Sequence, residues 1–250
     1  MHDPLLTPYG EEQCRNLQKN FPNLQSVDLI VASPMKRTLN TALIAFEPVL
    51  KEKGLKIIAL PELQETSDLP CDTGSTPEEL AKIFEGQPVD LSLVKPGWNS
   101  KRMKWAPTAT AIQKRAQLAR SWLMARPEKE IVVVSHGGFL HYFTEDWSGS
   151  ERFSGTGWAN TEFRDYNFST WQPDEAHLTE TGESKRRRLG KEKPLDHNEA
   201  TQLQRTSTIE RVQENEEYLE KQRQIELSKT KDVRDIQAKV LVDSQRSWGA

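Results

Sequence analysis

The sequence predicts an α/β fold of three layers, a mainly parallel sheet with helices on both faces. Three observations carry that expectation. Short apolar runs at Asp28–Ser33 and Glu130–Ser135 are bounded by polar residues, as strands buried in a parallel sheet are. Helical patterns alternate with the strands in the order α, β, α, β, α, α, β, α, β. Thr7-Pro8 and Thr76-Pro77 each place a capping side chain before a proline in the first turn, a helix start with a mechanism.

In chain order, Glu11 to Phe21 sets Cys14, Leu17 and Phe21 on one helical face, and Leu29 to Ser33 follows as a buried strand. Pro34 to Lys53 reads as one helix, with Leu39, Ala42, Leu43, Phe46 and Leu50 on one side and Gly54 as its stop. Lys56 to Leu60 is a second strand, and Pro61 to Ser75 a loop before the short helix at Thr76. Residues 86–106 are irregular; Pro107 to Arg126 is a helix, Glu130 to Ser135 a strand, and Phe139 to Trp147 a helix. Trp158 to Phe168 alternates like a late edge strand. There is no internal repeat.

The 250 residues are 35% hydrophobic, and that apolar content lies mostly before residue 170. Only Tyr218 and Trp248 are aromatic after 185. The division expected is a folded domain over residues 1–175 and a polar, charged, partly helical or disordered tail over 176–250. A net charge of -3 argues against a nucleic-acid partner for the whole chain. Two cysteines make no disulfide framework. The start carries no signal-peptide pattern, and the longest apolar runs are too short to span a bilayer. A cytoplasmic location with no membrane partner is the expectation, with nuclear import through the basic run Lys185 to Lys193 as the alternative.

Open α/β sheets bind ligands beyond the carboxyl ends of their strands. After the first strand comes Ser33-Pro34-Met35-Lys36-Arg37-Thr38, and after the last buried one Ser135-His136-Gly137-Gly138. Both turns run into a helix N-terminus, where N–H groups and the helix dipole favour an anion. Arg37 can reach back with a guanidinium fork that matches phosphate oxygens, His136 can donate, and Gly137 lets the backbone approach a ligand. Each signal alone is weak: a first-turn arginine is usually solvated, and a strand-end histidine usually structural. A serine-hydrolase reading fails for want of a Gly-x-Ser-x-Gly elbow.

The order of these blocks resembles the histidine phosphatase superfamily, the phosphoglycerate mutase-like fold. Asp3-Pro4-Leu5-Leu6-Thr7-Pro8-Tyr9-Gly10 is similar to the segment that follows the family's nucleophile loop. Ser33 to Ala42 resembles its Ser-x-x-x-Arg-x-x-x-Thr-Ala block, Leu63-Gln64-Glu65 its Leu-x-Glu, and Val132 to Gly138 the block of its second histidine. Glu65 to Ser75 and Asn160 to Arg164 point to the fungal phosphoglycerate mutase-like group. The resemblance implies two-step phosphoryl transfer from a small phosphorylated substrate through a phosphohistidine. Arg37 and His136, with Ser33 and Gly137, would hold the phosphate, and Glu65 would protonate the leaving oxygen. No cofactor or metal is implied, and no His/Cys/carboxylate cluster has ligand spacing.

The family's nucleophile sits in an Arg-His-Gly-type motif ending its first strand. None of His2, His136, His141, His177 and His197 stands in such a motif, and the family's first strand has no counterpart here. Two accounts stand side by side: an incomplete copy of an active phosphatase, and a non-catalytic relative that binds phosphate or acts as a scaffold. In the family that strand lies between those at Leu29–Ser33 and Ile131–Ser135, so both are expected to face unpaired ladder groups and the domain to be insoluble or molten.

Other features have bland readings of greater weight. Cys71 is an inert loop thiol rather than a reactive one, and Asp68 and Asp72 are turn formers as readily as alternative acids. Trp98, Trp105 and Trp158 serve packing rather than a pocket mouth. Val212, Leu219, Val233 and Val240 keep a seven-residue spacing broken by Glu226, so the tail reads as a solvated helix before a coiled coil. It remains a candidate contact for a protein partner.

Overall fold

Apolar strands need partners for both backbone edges and both faces, and the sheet supplies most of them. In this computed structural model residues 1–149, 153–169 and 176–247 are described, with side chains described as far as 224. The elements are α1 (Pro8–Asn20), β1 (Leu29–Ala32), α2 (Lys36–Ala45), α3 (Glu47–Lys53), β2 (Ile57–Ala59), α4 (Pro77–Ile83) and β3 (Val89–Asp90). They continue with α5 (Ala109–Met124), β4 (Ile131–Val134), α6 (Gly137–Phe143), β5 (Tyr166–Phe168), β6 (Leu178–Glu180), α7 (Gly182–Arg188) and α8 (His197–Ser247). Residues 1–207 form one compact unit and 208–250 a second.

The main sheet is four-stranded and parallel throughout, in the order β3-β2-β1-β4, as the apolar runs predicted. One hydrophobic cluster on β1 and β2 takes in Ile30, Ala32, Leu39, Phe46 and Trp98; the other takes in Leu29, Val31, Ile112, Phe139 and Tyr142. Alternate residues of β1 thus feed opposite layers, the period-2 rule of a strand buried on both faces.

The helix expected over Pro34 to Lys53 is two helices that meet at Phe46. Pro48 in the first turn of α3 lacks an N–H, so it can start a helix but not continue one. β3 lies in the stretch expected to be irregular; two residues carry too little periodicity to be read. The late strand is also corrected: β5 does not join the main sheet but pairs antiparallel with β6. Arg187 donates to Asp165 and Arg188 to Glu180, so two arginines of the basic run brace this hairpin.

The expected gap between the apolar strands is absent. β1 pairs directly with β4 from Leu29↔Ile131 to Ala32↔Val134, and Ser33 N extends the ladder to Val134 O at 2.9 Å. β4, expected inside the sheet, is its edge strand and is half-buried along its length. The polar region after 175 is not all solvated: Ala176 and Leu203 are each 1% exposed and pack within the first unit.

Candidate active site

The carboxyl ends of β1, β2 and β4 open on one buried cluster. Beyond β1, Thr38 Oγ1 donates to the Ser33 and Met35 carbonyls and fixes the turn into α2. Lys36 N, which the sequence left free for a ligand, donates instead to Asp3 Oδ1 at 3.1 Å, while Asp3 Oδ2 accepts from Ser75 N at 2.8 Å. A carboxylate of the chain thus caps that helix end.

Arg37 reaches back toward the strand ends, as its position predicted. Its Nη1 donates to Cys71 O at 2.6 Å and its Nη2 to Asp72 Oδ1 at 3.0 Å; Nη2 also lies 3.1 Å from His136 Nδ1. Asp72 Oδ2 accepts from Ser67 Oγ at 2.5 Å. Asp72, weighed as an alternative acid, is the counter-ion of Arg37. Cys71 contributes its carbonyl.

Guanidinium N–H groups only donate, so His136 Nδ1 accepts. The ring then carries its proton on Nε2 and donates to Ser33 Oγ at 2.9 Å. Burial, then the charges of Arg37, Lys101 and Arg115, hold His136 well below the ordinary histidine range. It is therefore a neutral donor, not a cation. Ser33 and His136 meet across the β1–β4 ladder, 103 residues apart in sequence.

Glu65 is also buried here. Its Oε1 accepts from Thr66 N at 2.8 Å and from Phe139 N at 3.0 Å, joining the β2 loop to the first turn of α6. Burial, then the charge of Asp72, raises its pKa above the ordinary carboxylate value, against the opposing effects of the Thr66 N–H, Arg37 and Lys101. Gly138 is needed where it stands, since a Cβ there would lie 2.8 Å from Glu65 Oε1. Gly137, expected to let a ligand approach, lies instead against Glu199, whose Oε1 would be 3.0 Å from an added Cβ.

Two cations of the cluster escaped sequence reasoning. Arg115, 1% exposed, donates to the carbonyls of Glu62 and Gln64, each at 2.8 Å, and of Glu65 at 3.4 Å. Burial lowers it to about 10. The readable signal was its spacing: Arg115 shares the apolar face of α5 with Ile112, Ala116 and Ala119. Lys101 Nζ donates to Glu65 O at 3.2 Å. It lies in the stretch read as irregular, 86–106, and left no signal.

Beside the cluster, His141 is fully buried between Asp146, 2.9 Å from Nδ1, and Glu199, 3.3 Å from Nε2. Of the aromatics, Trp98 is packed against Gly74 and donates to Ser75 O at 3.1 Å. Trp158 lies under the Arg164 guanidinium at 3.8 Å. Asp68 is exposed and pairs with Arg205. Among the described residues no group of three or more His, Cys, Asp or Glu side chains is placed to hold a metal, and no helix is long and apolar enough to cross a membrane.

Residues 1–174 match the family described as the histidine phosphatase superfamily (branch 1). A probable phosphatase of Schizosaccharomyces pombe is 33% identical over 144 residues, which cover 57% of this chain and 66% of that protein. A phosphoglycerate mutase-like protein of Arabidopsis thaliana is 28% identical over 171 residues, covering 56% of this chain and 61% of that one. The match therefore spans less than two thirds of either relative. Among solved structures, a mycobacterial glucosyl-3-phosphoglycerate phosphatase aligns over 72% of this chain and 87% of its own, with a TM-score of 0.46 and 18% identity.

Proposed function

The chain belongs to the histidine phosphatase superfamily, branch 1, and from that premise we propose that it grips the phosphoryl group of a small phosphomonoester at the mouth of β1, β2 and β4. Arg37 and His136 hold the equatorial oxygens, beside Ser33 and the start of α6 at Gly137. Glu65 would give a proton to the leaving oxygen once a nucleophile attacked phosphorus, a role that none of the chain's histidines fills from an Arg-His-Gly-type motif. Fixed positive charge suits a phosphoryl group whose negative charge spreads in the transition state, and a carboxyl whose pKa burial raises suits a poor leaving group. One observation carries this reading: the Arg37 guanidinium, half-buried beside His136, already holds an oxyanion, the Asp72 carboxylate at 3.0 Å. The relative in fission yeast supports the fungal phosphoglycerate mutase-like affinity.

A second reading, a phosphate-binding protein without turnover, is favoured by the histidines. Both nitrogens of His136 are engaged, and His141 is held by Asp146 and Glu199. Neither stands free to attack phosphorus. The two readings share binding and divide on chemistry. Phosphate or vanadate is expected to raise the thermal midpoint of residues 1–250 by mass action, and Arg37→Ala to remove the shift. An unchanged shift in that variant would place the clamp elsewhere. Aryl phosphate hydrolysis is expected near background, since loss of a covalent nucleophile costs on the order of 10⁴-fold or more. Robust turnover abolished by His136→Ala would instead make this chain a catalyst by itself.

A further inference from the structure

We propose that Lys101 is a third cation of this anion site, donating from Nζ to the bound phosphomonoester on the leaving-group side, beside Glu65. The inference rests on the phosphate-binding reading and goes beyond it, since the resemblance assigns no role to this lysine.

The geometry begins with the loop that delivers it. Gln64 Nε2 donates to Trp98 O at 2.7 Å, Trp98 Nε1 to Ser75 O at 3.1 Å, and Asn99 Nδ2 to Gly74 O at 2.7 Å. The segment just before Lys101 is thus pinned to both flanks of the Glu65–Asp72 loop. Lys101 and Met103 both hold the left-handed backbone region, at φ 54 each. Side-chain-bearing residues adopt that conformation at a cost, and such outliers gather where surrounding structure forces a side chain into place. The side chain lies along the cluster and ends at Glu65 O.

An ammonium has three N–H donors. Among the described residues Glu65 O is the one hydrogen-bond acceptor of Lys101 Nζ, which leaves capacity for ligand oxygens. The charged and titratable groups that bear on it are Arg115 and Arg37, which oppose its charge, and Asp72 and Glu65, which favour it. Lys101 in turn acts on His136 and Glu65. Burial, then Arg115, brings Lys101 down to about 7. Near neutrality the empty site therefore holds it partly uncharged, and an arriving dianion restores the proton. Arg37 is paired with Asp72 and Arg115 with backbone carbonyls, so the empty site avoids one further, unpaired cation at Lys101, yet offers it to a ligand.

The test is calorimetric titration of the whole chain with inorganic phosphate at about pH 8, above the second ionisation of a phosphomonoester, in two buffers of different ionisation enthalpy. The wild type is expected to take up a proton on binding. Lys101→Met is expected to weaken binding about tenfold or more, the loss of one charge-assisted hydrogen bond, and to abolish the uptake. Lys101→Arg, charged throughout, is expected to keep binding and lose the uptake, which a merely structural lysine would not do. Lys101→Met binding phosphate as the wild type does, with Arg37→Ala still losing it, overturns the role of Lys101 and leaves the clamp standing. A wild type that binds no phosphate overturns both.

Discussion

His141 on α6 and Glu199 in the first turn of α8 stand 3.3 Å apart, and the imidazole between Glu199 and Asp146 is fully buried. Burial opposes its charge, but hydrogen bonds to Asp146 and Glu199 outweigh that and raise His141 above the ordinary histidine value. Burial likewise raises Glu199, and its bonds to His141 and Trp158 N outweigh it, lowering the carboxyl with help from Lys193. A raised histidine stabilises fully below its unfolded value, and the gain is lost as pH rises through the folded one. A lowered carboxylate stabilises above its unfolded value, and the gain is lost as pH falls through the folded one. Both contributions are therefore complete between about pH 4.5 and 6.5. The difference in thermal midpoint between wild type and His141→Gln is expected to be largest in that window and to shrink above it. A difference that grows from about pH 6 to 8 would show that His141 is held neutral.

Arg115 carries a second expectation. Its guanidinium holds the carbonyls of Glu62, Gln64 and Glu65, the turn that carries Glu65. Arg115→Met keeps the bulk and strands those acceptors. A buried unsatisfied acceptor costs about 1–3 kcal/mol, so urea unfolding is expected to show a loss of about 3 kcal/mol, with Arg115→Lys falling between. A loss under about 1 kcal/mol in the Met variant would mean that the loop holds its shape without the arginine.

Gly138 tests the junction between Glu65 and α6. An alanine Cβ would meet Glu65 Oε1 at 2.8 Å and Thr66 Oγ1 at 3.1 Å. Glu65 cannot withdraw without losing the Phe139 and Thr66 N–H donors. Gly138→Ala is expected to cost about 1–3 kcal/mol, as overpacking does, and to weaken phosphate binding as well. Full stability with full phosphate binding in this variant would show that Glu65 is held loosely.

These residues also mark what the sequence made legible. β1 and β4 were readable because a continuous apolar run between polar residues is what a strand covered on both faces requires. Arg37 and His136 were readable because each follows a buried strand, and Glu65 through the resemblance of Leu63-Gln64-Glu65 to the family's Leu-x-Glu. Asp72 stood among the alternatives, but its pairing with Arg37 spans 35 residues and depends on how the loop after β2 folds back. Lys101, Arg115 and Glu199 owe their roles to burial, which only tertiary packing decides. The position of β4 at the sheet edge could not be read either, because an apolar run records burial of its faces and not the pairing of its edges.

That pairing carries the last expectation. With an open position between β1 and β4, several buried N–H and C=O groups would lack partners, at about 1–3 kcal/mol each. A typical domain has only about 5–15 kcal/mol of net stability, so the sequence pointed to a molten chain. In the structure the four residues of β1 pair with the four of β4, and Asp28 N to Glu130 O at 2.8 Å and Ser33 N to Val134 O at 2.9 Å close the two ends. The same ladder brings Ser33 to His136, so the site depends on the pairing of β1 with β4. Residues 1–250 are therefore expected to give a cooperative thermal transition by near-UV circular dichroism, with phosphate shifting it as a whole. Val31→Asp, placing a charge at a site that is 0% exposed, is expected to abolish both the transition and the phosphate response. A broad, featureless melt of the wild type, with dye binding to exposed apolar surface, would show that β1 and β4 do not hold each other in solution.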